Sequence, residues 1–270
     1  MSALTFRLKQ PTRLRTDMSA FTPQRLAGKG LNEIAHIPLW QGNRQIATGE
    51  MFSLSGDNPA DIVIQSDGDC LDHVGSGMSG GRIRIEGCTG AYLGRSMRGG
   101  SLHVDGDTGI AAGCDMSGGN LFIDGNAGNF LGGAIIGERQ GMRGGKIMVK
   151  GNAGDRVGDQ MRRGTILISG STGDYCASRM IAGTIVVLGQ TGAQTGLTMR
   201  RGTLLLTREP ASLPATFNYN GRHDLDFLHL LIRSLQDEKG FSGLPERGSR
   251  VRRWLGDLGC DGKGEILVWC

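Results

Sequence analysis

A methionine recurs every nineteen residues through the middle of this chain. It stands at Met78, Met97, Met116, Met142, Met161, Met180 and Met199, with spacings of 19, 19, 26, 19, 19 and 19. The one long interval holds a 7-residue insertion near Gly133 to Gly141. Self-similarity at a fixed period of this size marks a repeat architecture, so it constrains the fold more than any local motif. A glycine follows each Met by three residues: Gly81, Gly100, Gly119, Gly145, Gly164, Gly183 and Gly202. Apolar pairs occupy the fifth and seventh places: Ile83/Ile85, Leu102/Val104, Leu121/Ile123, Ile147/Val149, Ile166/Ile168, Ile185/Val187 and Leu204/Leu206. The residue between them varies freely: Arg84, His103, Phe122, Met148, Leu167, Val186 and Leu205. Further glycines recur at the ninth and twelfth places, as Gly87 and Gly90 do in the first row. Residues 61–77 read as a degenerate earlier row.

The period-2 apolar pair is a short strand with one buried face, and the residue between points the other way. A unit this short cannot bury its apolar face alone. Stacking the units in register buries it, at about 4.8 Å per rung. The expected fold is mainly β: a right-handed parallel β-helix of 19-residue glycine-rich coils. Seven or eight rungs would make a rod of roughly 35 Å. The methionines should form an internal column of adaptable side chains at one corner. Glycine, at 47 of 270 residues, lacks the every-third-residue period of collagen. No GxGxxG match combines a strand with a long helix, so these glycines do not read as nucleotide loops.

The repeat divides the chain into three parts: residues 1–56, a cap with a short helix and strands; residues 57–207, the β-helix; and residues 208–270, a C-terminal extension. In the cap, Thr22-Pro23 opens a short helix ending near Gly28, and Ile37 to Trp40, Gln45 to Thr48 and Met51 to Leu54 read as strands. In the extension, residues 224–239 form an amphipathic helix with a stripe of Leu225, Leu228, Leu231, Ile232 and Leu235, widened by Phe227 and Leu230 and stopped by Gly240. Either the helix caps the last rung or its extra apolar face docks on another subunit. The terminal Glu265 to Cys270 reads as a strand that can pair with a partner.

Candidate chemistry is sparse. The net charge of +4 gives no case for nucleic acid. Six cysteines, none in CxxC spacing, together with a start that has no apolar h-region and no long apolar run, read as a cytoplasmic chain with reduced thiols. The five histidines lack helical ligand spacing, so a metal site requires tertiary convergence. Asp69, Cys70, Asp72 and His73 cluster potential ligands, yet they equally suit a polar corner loop. Asp107, Asp155 and Asp174 recur at corners, where Asp suits turns without any catalytic role. No nucleophile elbow is present. The place after each Met and the next one supply Arg98, Arg143, Arg162, Arg163, Arg200 and Arg201. Stacked, they should form a basic stripe that either binds an extended polyanion or a partner's carboxylates, or is simply a solvated corner.

The row Gly77 to Gly94 (GMSGGRIRIEGCTGAYLG) and its copies resemble the glycine-rich β-helix at the C-terminus of the large glutamate synthase subunit. The chain is more similar to the C subunit of formylmethanofuran dehydrogenase, through Leu26 to Asn43 (LAGKGLNEIAHIPLWQGN) and the insertion after the third Met. The resemblance covers residues of about 20–207. It implies a non-catalytic scaffold, with the metal and a methanofuran-type cofactor on or near other subunits. Two assemblies fit. One is the bacterial formyltransferase/hydrolase complex, which moves a formyl group from tetrahydromethanopterin to a methanofuran analogue and releases formate. The other is the archaeal tungsten or molybdenum formylmethanofuran dehydrogenase. The 24 Arg against 6 Lys and the C-terminal helix favour the bacterial one. The implied partners are a metal-dependent hydrolase-like subunit, a formyltransferase subunit and others, with no membrane and no nucleic acid. The glutamate-rich tail of such cofactors gives the arginine stripe a candidate ligand. An independent polysaccharide lyase and a glutamate synthase accessory domain are the competing readings.

Overall fold

In the computed structural model the described residues are 2–66, 68–236 and 250–270. They are mainly β. One large mixed sheet of thirteen strands runs the length of the molecule, and a four-stranded sheet lies beside its N-terminal end.

The repeat produces the parallel part of the large sheet. Strands Asn58–Gln65, Arg82–Glu86, Ser101–Val104, Ser117–Ile123, Arg143–Val149, Arg163–Ile168, Thr184–Val187 and Thr203–Leu206 follow one another in order and pair parallel. Register follows the sequence period: Ile83 opposes Leu102, and Leu102 opposes Leu121. The inward aliphatic column is fully buried from Ile83 to Leu204. Pairing recurs elsewhere around each coil. Thr89, Thr108, Ala127, Ala153 and Thr172 form parallel one-residue bridges, and from Met97 onward the N–H after each Met donates to the carbonyl of the Met one coil earlier, as from Arg98 to Met78.

All seven repeat methionines are buried. From Met78 to Met180 each thioether methyl lies beneath the glycine of the next coil, whereas Gly264 meets Met199 through Cγ and Sδ. A Cβ at Gly119 would stand 2.7 Å from Met97 Cε and 2.8 Å from the Gly100 carbonyl oxygen, and the backbone there has φ +85°. Glycine is therefore required twice over, by conformation and by space.

The corner carboxylates and amides serve the stack. Asp107 Oδ1 accepts from Asn126 N, Asn126 Oδ1 from Asn152 N, and Asn152 Oδ1 from Ser171 N, at 2.6, 2.9 and 2.8 Å. Asp155 and Asp174 do the same along a second ladder. These side chains satisfy turn N–H groups that no strand would reach.

The ends close with antiparallel strands. Ala3–Leu8 lies parallel to Asn58–Gln65, and Phe52–Ser55 covers its other edge. Ala3–Leu8 is an addition to the strands expected from the sequence, and the alternation of Leu4, Phe6 and Leu8 is its signal. The short helix at Pro23–Leu26 is present, as is a second at Leu31–Ala35. The three expected cap strands appear as Pro38–Gln41, Arg44–Ala47 and Phe52–Ser55, with Thr48 and Met51, expected in strands, forming instead the ends of a helical turn at Thr48–Met51.

At the other end the terminal strand, Gly264–Trp269, pairs parallel with Thr203–Leu206 and extends the stack itself. A hairpin of Asn218–Asp224 and Arg250–Gly256 finishes that edge. The amphipathic helix spans Phe227–Gln236, starting later than the expected residue 224 because Asp224 pairs as the end of strand Asn218–Asp224; the expected continuation at 237–239 and the stop at Gly240 lie outside the described residues. It neither caps the last rung nor stands free. Leu228, Ile232 and Leu235 bury against the outward side chains Met148, Leu167, Val186, Leu205 and Leu267, on the outer face of the sheet. Phe227 and Leu230 remain on its exposed side, Leu230 at 73% exposure. Among the described residues no helix is long and apolar enough to cross a membrane.

Candidate functional site

The outer face of the parallel sheet has two halves, set by the residue between the two buried aliphatics. From Met148 onward that residue is apolar and lies under the C-terminal helix. Before it stand Val63, Arg84, His103 and Phe122, which line an open cavity of about 710 Å³ together with Asp61, Arg82, Asp124 and Lys150.

Cross-coil ion pairs fill the floor of this cavity. Arg84 Nη2 reaches Asp105 Oδ2 at 2.9 Å, and Lys150 Nζ reaches Asp124 Oδ1 at 2.8 Å. His103 Nε2 sits 3.1 Å from Asp124 Oδ2 and 3.8 Å from Asp105 Oδ1. Burial raises the Asp124 carboxyl, but the hydrogen bonds from Lys150 and His103 outweigh it and hold the group below its ordinary value. His103, Asp105 and Asp124 offer donor atoms that converge closely enough for a cation, and Asp105 Oδ1 is a buried acceptor with no hydrogen-bond partner. Yet each carboxylate already has its own cation, so the cluster holds no surplus negative charge to draw a metal. Residue spacing alone does not single out this trio. Its one signal is the stacking register, which places the His and both Asp on adjacent outward columns.

The Asp69 to His73 cluster, by contrast, is spent on structure. Asp72 Oδ1 accepts from Ala91 N at 2.7 Å, Asp72 Oδ2 from Arg15 Nε at 2.9 Å, and His73 stacks on Tyr92 with centroids 4.8 Å apart.

The six stripe arginines are all exposed and share one corner. The backbone ladder places Arg98, Ser117, Arg143, Arg162, Ile181 and Arg200 in successive coils. The stripe is uneven. Arg143 Nε is tied to Asp115 Oδ1 at 2.9 Å, and Ser117 and Ile181 interrupt the column. A bulge near Arg143 puts Arg163, rather than Arg162, opposite it in the sheet register.

Three comparisons bear on the family. The GXGXG motif family matches residues 82–221. The C subunit of the molybdenum-containing formylmethanofuran dehydrogenase 1 of Methanosarcina barkeri is 36% identical over 90 residues, covering 32% of this chain and 30% of that protein. The C subunit of the formyltransferase/hydrolase complex Fhc of Methylorubrum extorquens is 41% identical over 89 residues, covering 33% of this chain and 34% of that protein. The matched stretch thus spans about a third of the length of these curated relatives. The crystal structure of the formyltransferase/hydrolase complex FhcABCD from Methylorubrum extorquens, in complex with methylofuran, contains a chain of the same fold. It superposes with a TM-score of 0.90 at 40% identity, over 98% of both chains.

The chain belongs to the family of formylmethanofuran dehydrogenase C subunits. Within this family the match to the Methylorubrum extorquens chain runs well past the repeat and the cap segment that carry the sequence resemblance. The N-terminal sheet and the helix-and-hairpin extension are therefore parts of the shared fold.

Proposed function

We propose that this chain is the non-catalytic structural subunit of a formyltransferase/hydrolase complex. That assembly transfers a formyl group from formyl-tetrahydromethanopterin to a methanofuran-type carrier and releases formate. The carrying observation is the two-way 98% match to a chain of the FhcABCD complex at 40% identity. By sequence the bacterial C subunit is 41% identical over 33% of this chain and the archaeal one 36% over 32%; the higher identity, together with the full-length superposition on the FhcABCD chain, favours the bacterial assembly. The polar residues of the open cavity are engaged in cross-coil ion pairs, which suits a structural role.

In this reading the coils wind as a right-handed parallel β-helix. The parallel pairing at several places around each coil supports it, as does the strong right-handed preference of parallel crossovers. Residues 57–207 form the coils, residues 1–56 close one end, and residues 208–270 supply the outer helix and a last rung. The metal-dependent hydrolase-like and formyltransferase subunits are the partners, they hold the metal and the carrier, and the complex works in the cytoplasm.

The test is purification of the tagged chain from its own organism, followed by native mass spectrometry and activity measurement. A hetero-oligomer with formyltransferase and formate-releasing activity, both absent from the isolated chain, is the expected result. Turnover by the isolated chain, or an assembly lacking a formyltransferase, would overturn the reading.

A further inference from the structure

Many cations of this protein meet an acid on a neighbouring coil or strand. Arg84 pairs with Asp105, Arg143 with Asp115, Lys150 with Asp124, Arg179 with Asp159, and Arg253 with Glu265. Of the stripe arginines, Arg98, Arg162, Arg163, Arg200 and Arg201 break this pattern, and the last four stand as two adjacent dyads. All four are exposed, and among the described residues their side chains have no ion pair.

Their arrangement is defined by the backbone. Arg162 N donates to Met142 O, Ile181 N to Met161 O, and Arg200 N to Met180 O, each at 2.8 Å. The two arginine dyads are thus two coils apart on one corner, a separation of about 10 Å at the usual strand spacing. Ile181 and Ala182 lie between them, half-buried. The corner therefore presents two cationic forks on either side of a small apolar saddle. Clustered like charges without counter-charges repel one another, and an external anion removes that repulsion.

We propose that these dyads grip an extended acidic peptide segment in polyproline II conformation. That helix has three residues per turn and rises about 3.1 Å per residue, so acidic residues at i and i+3 share a side about 9.3 Å apart. The spacing matches the two dyads. Each guanidinium fork takes one carboxylate in bidentate fashion, and the saddle accepts the intervening methylene groups. A β-strand fits less well, because its period of two sends i and i+3 to opposite sides. The site is independent of the reaction proposed above.

The test measures binding of two fluorescent peptides of equal length and charge to the full chain by anisotropy. One has four Glu-Pro-Pro repeats; the other has four consecutive glutamates followed by eight prolines. The repeat peptide is expected to bind roughly tenfold more tightly, a margin within reach of one charge-assisted contact. Arg162→Gln with Arg163→Gln, and separately Arg200→Gln with Arg201→Gln, should each abolish that preference. Arg82→Gln, a cation on the sheet face, should leave it intact. Equal affinity for the two peptides, a preference that survives either double substitution, or no binding to the full chain would overturn the proposal.

Discussion

Replacing Val186 by arginine converts a covered rung into an open one. Val186 lies between Leu167 and Leu205 in the outward column, fully buried beneath the C-terminal helix. Arg84 occupies the equivalent place three rungs beyond the covered half and is exposed. Losing the buried valine forfeits about 1.5–3 kcal/mol. Leaving an unpaired charge under the helix costs several kcal/mol more by order of magnitude. The helix is anchored by Leu228, Ile232 and Leu235, which contribute roughly 5–9 kcal/mol of gross burial before the ordering entropy is subtracted. Releasing the helix is therefore the cheaper response, and the arginine then reaches water. Hydrogen exchange followed by mass spectrometry should show protection lost across Leu228–Leu235 and retained in the strands from Arg82 to Ile168. Val186→Ala should cost about 2 kcal/mol and leave the helix protected. Uniform loss of protection in helix and strands, or a helix still protected over the arginine, would refute the division of the outer face into covered and open halves.

Gly119→Ala should lower stability by at least about 2 kcal/mol, since a left-handed backbone cost adds to the clash with Met97 Cε and the Gly100 carbonyl. Gly137→Ala, at φ +92° with open space around it, should cost only about 1–2 kcal/mol; equal losses in thermal denaturation would disprove the packing half of the argument. Burial raises the Asp257 carboxyl, but hydrogen bonds outweigh it and depress the group, among them backbone N–H donation from Gly259 and Thr198 at 2.8 and 2.9 Å. A depressed carboxylate stabilises the fold above its unfolded pKa, and this contribution disappears as pH falls through the folded value. Urea denaturation of Asp257→Asn across acidic pH should show a shallower loss than the parent chain, and parallel curves would count against the assignment. Burial pushes the Cys114 and Cys176 thiols up to about 12. Under native conditions a thiol reagent should therefore label the exposed Cys270 first and reach those two only on unfolding; early labelling of Cys176 would show that the coil opens locally.

The sequence by itself determined the rungs. Apolar pairs at a fixed offset from a periodic methionine leave one way to hide them, so the register of Ile83, Leu102 and Leu121 follows from spacing alone. The family was legible too, because the rows and the Leu26 to Asn43 segment carry it. What the tertiary structure decided is everything that depends on which coil meets which outer element. The change from Arg84 and His103 to Leu167 and Val186 is visible in the rows, but its meaning required the helix to fold back along the sheet. The His103, Asp105 and Asp124 trio required adjacent coils to bring distant residues together, and the arginine stripe proved to be two unpaired dyads and a lone Arg98 only once Asp115 was seen to claim Arg143. A one-dimensional period fixes what lies inside a coil, because burial there is shared by every repeat. Outer contacts are made by single residues against non-repeating elements, and no period records them.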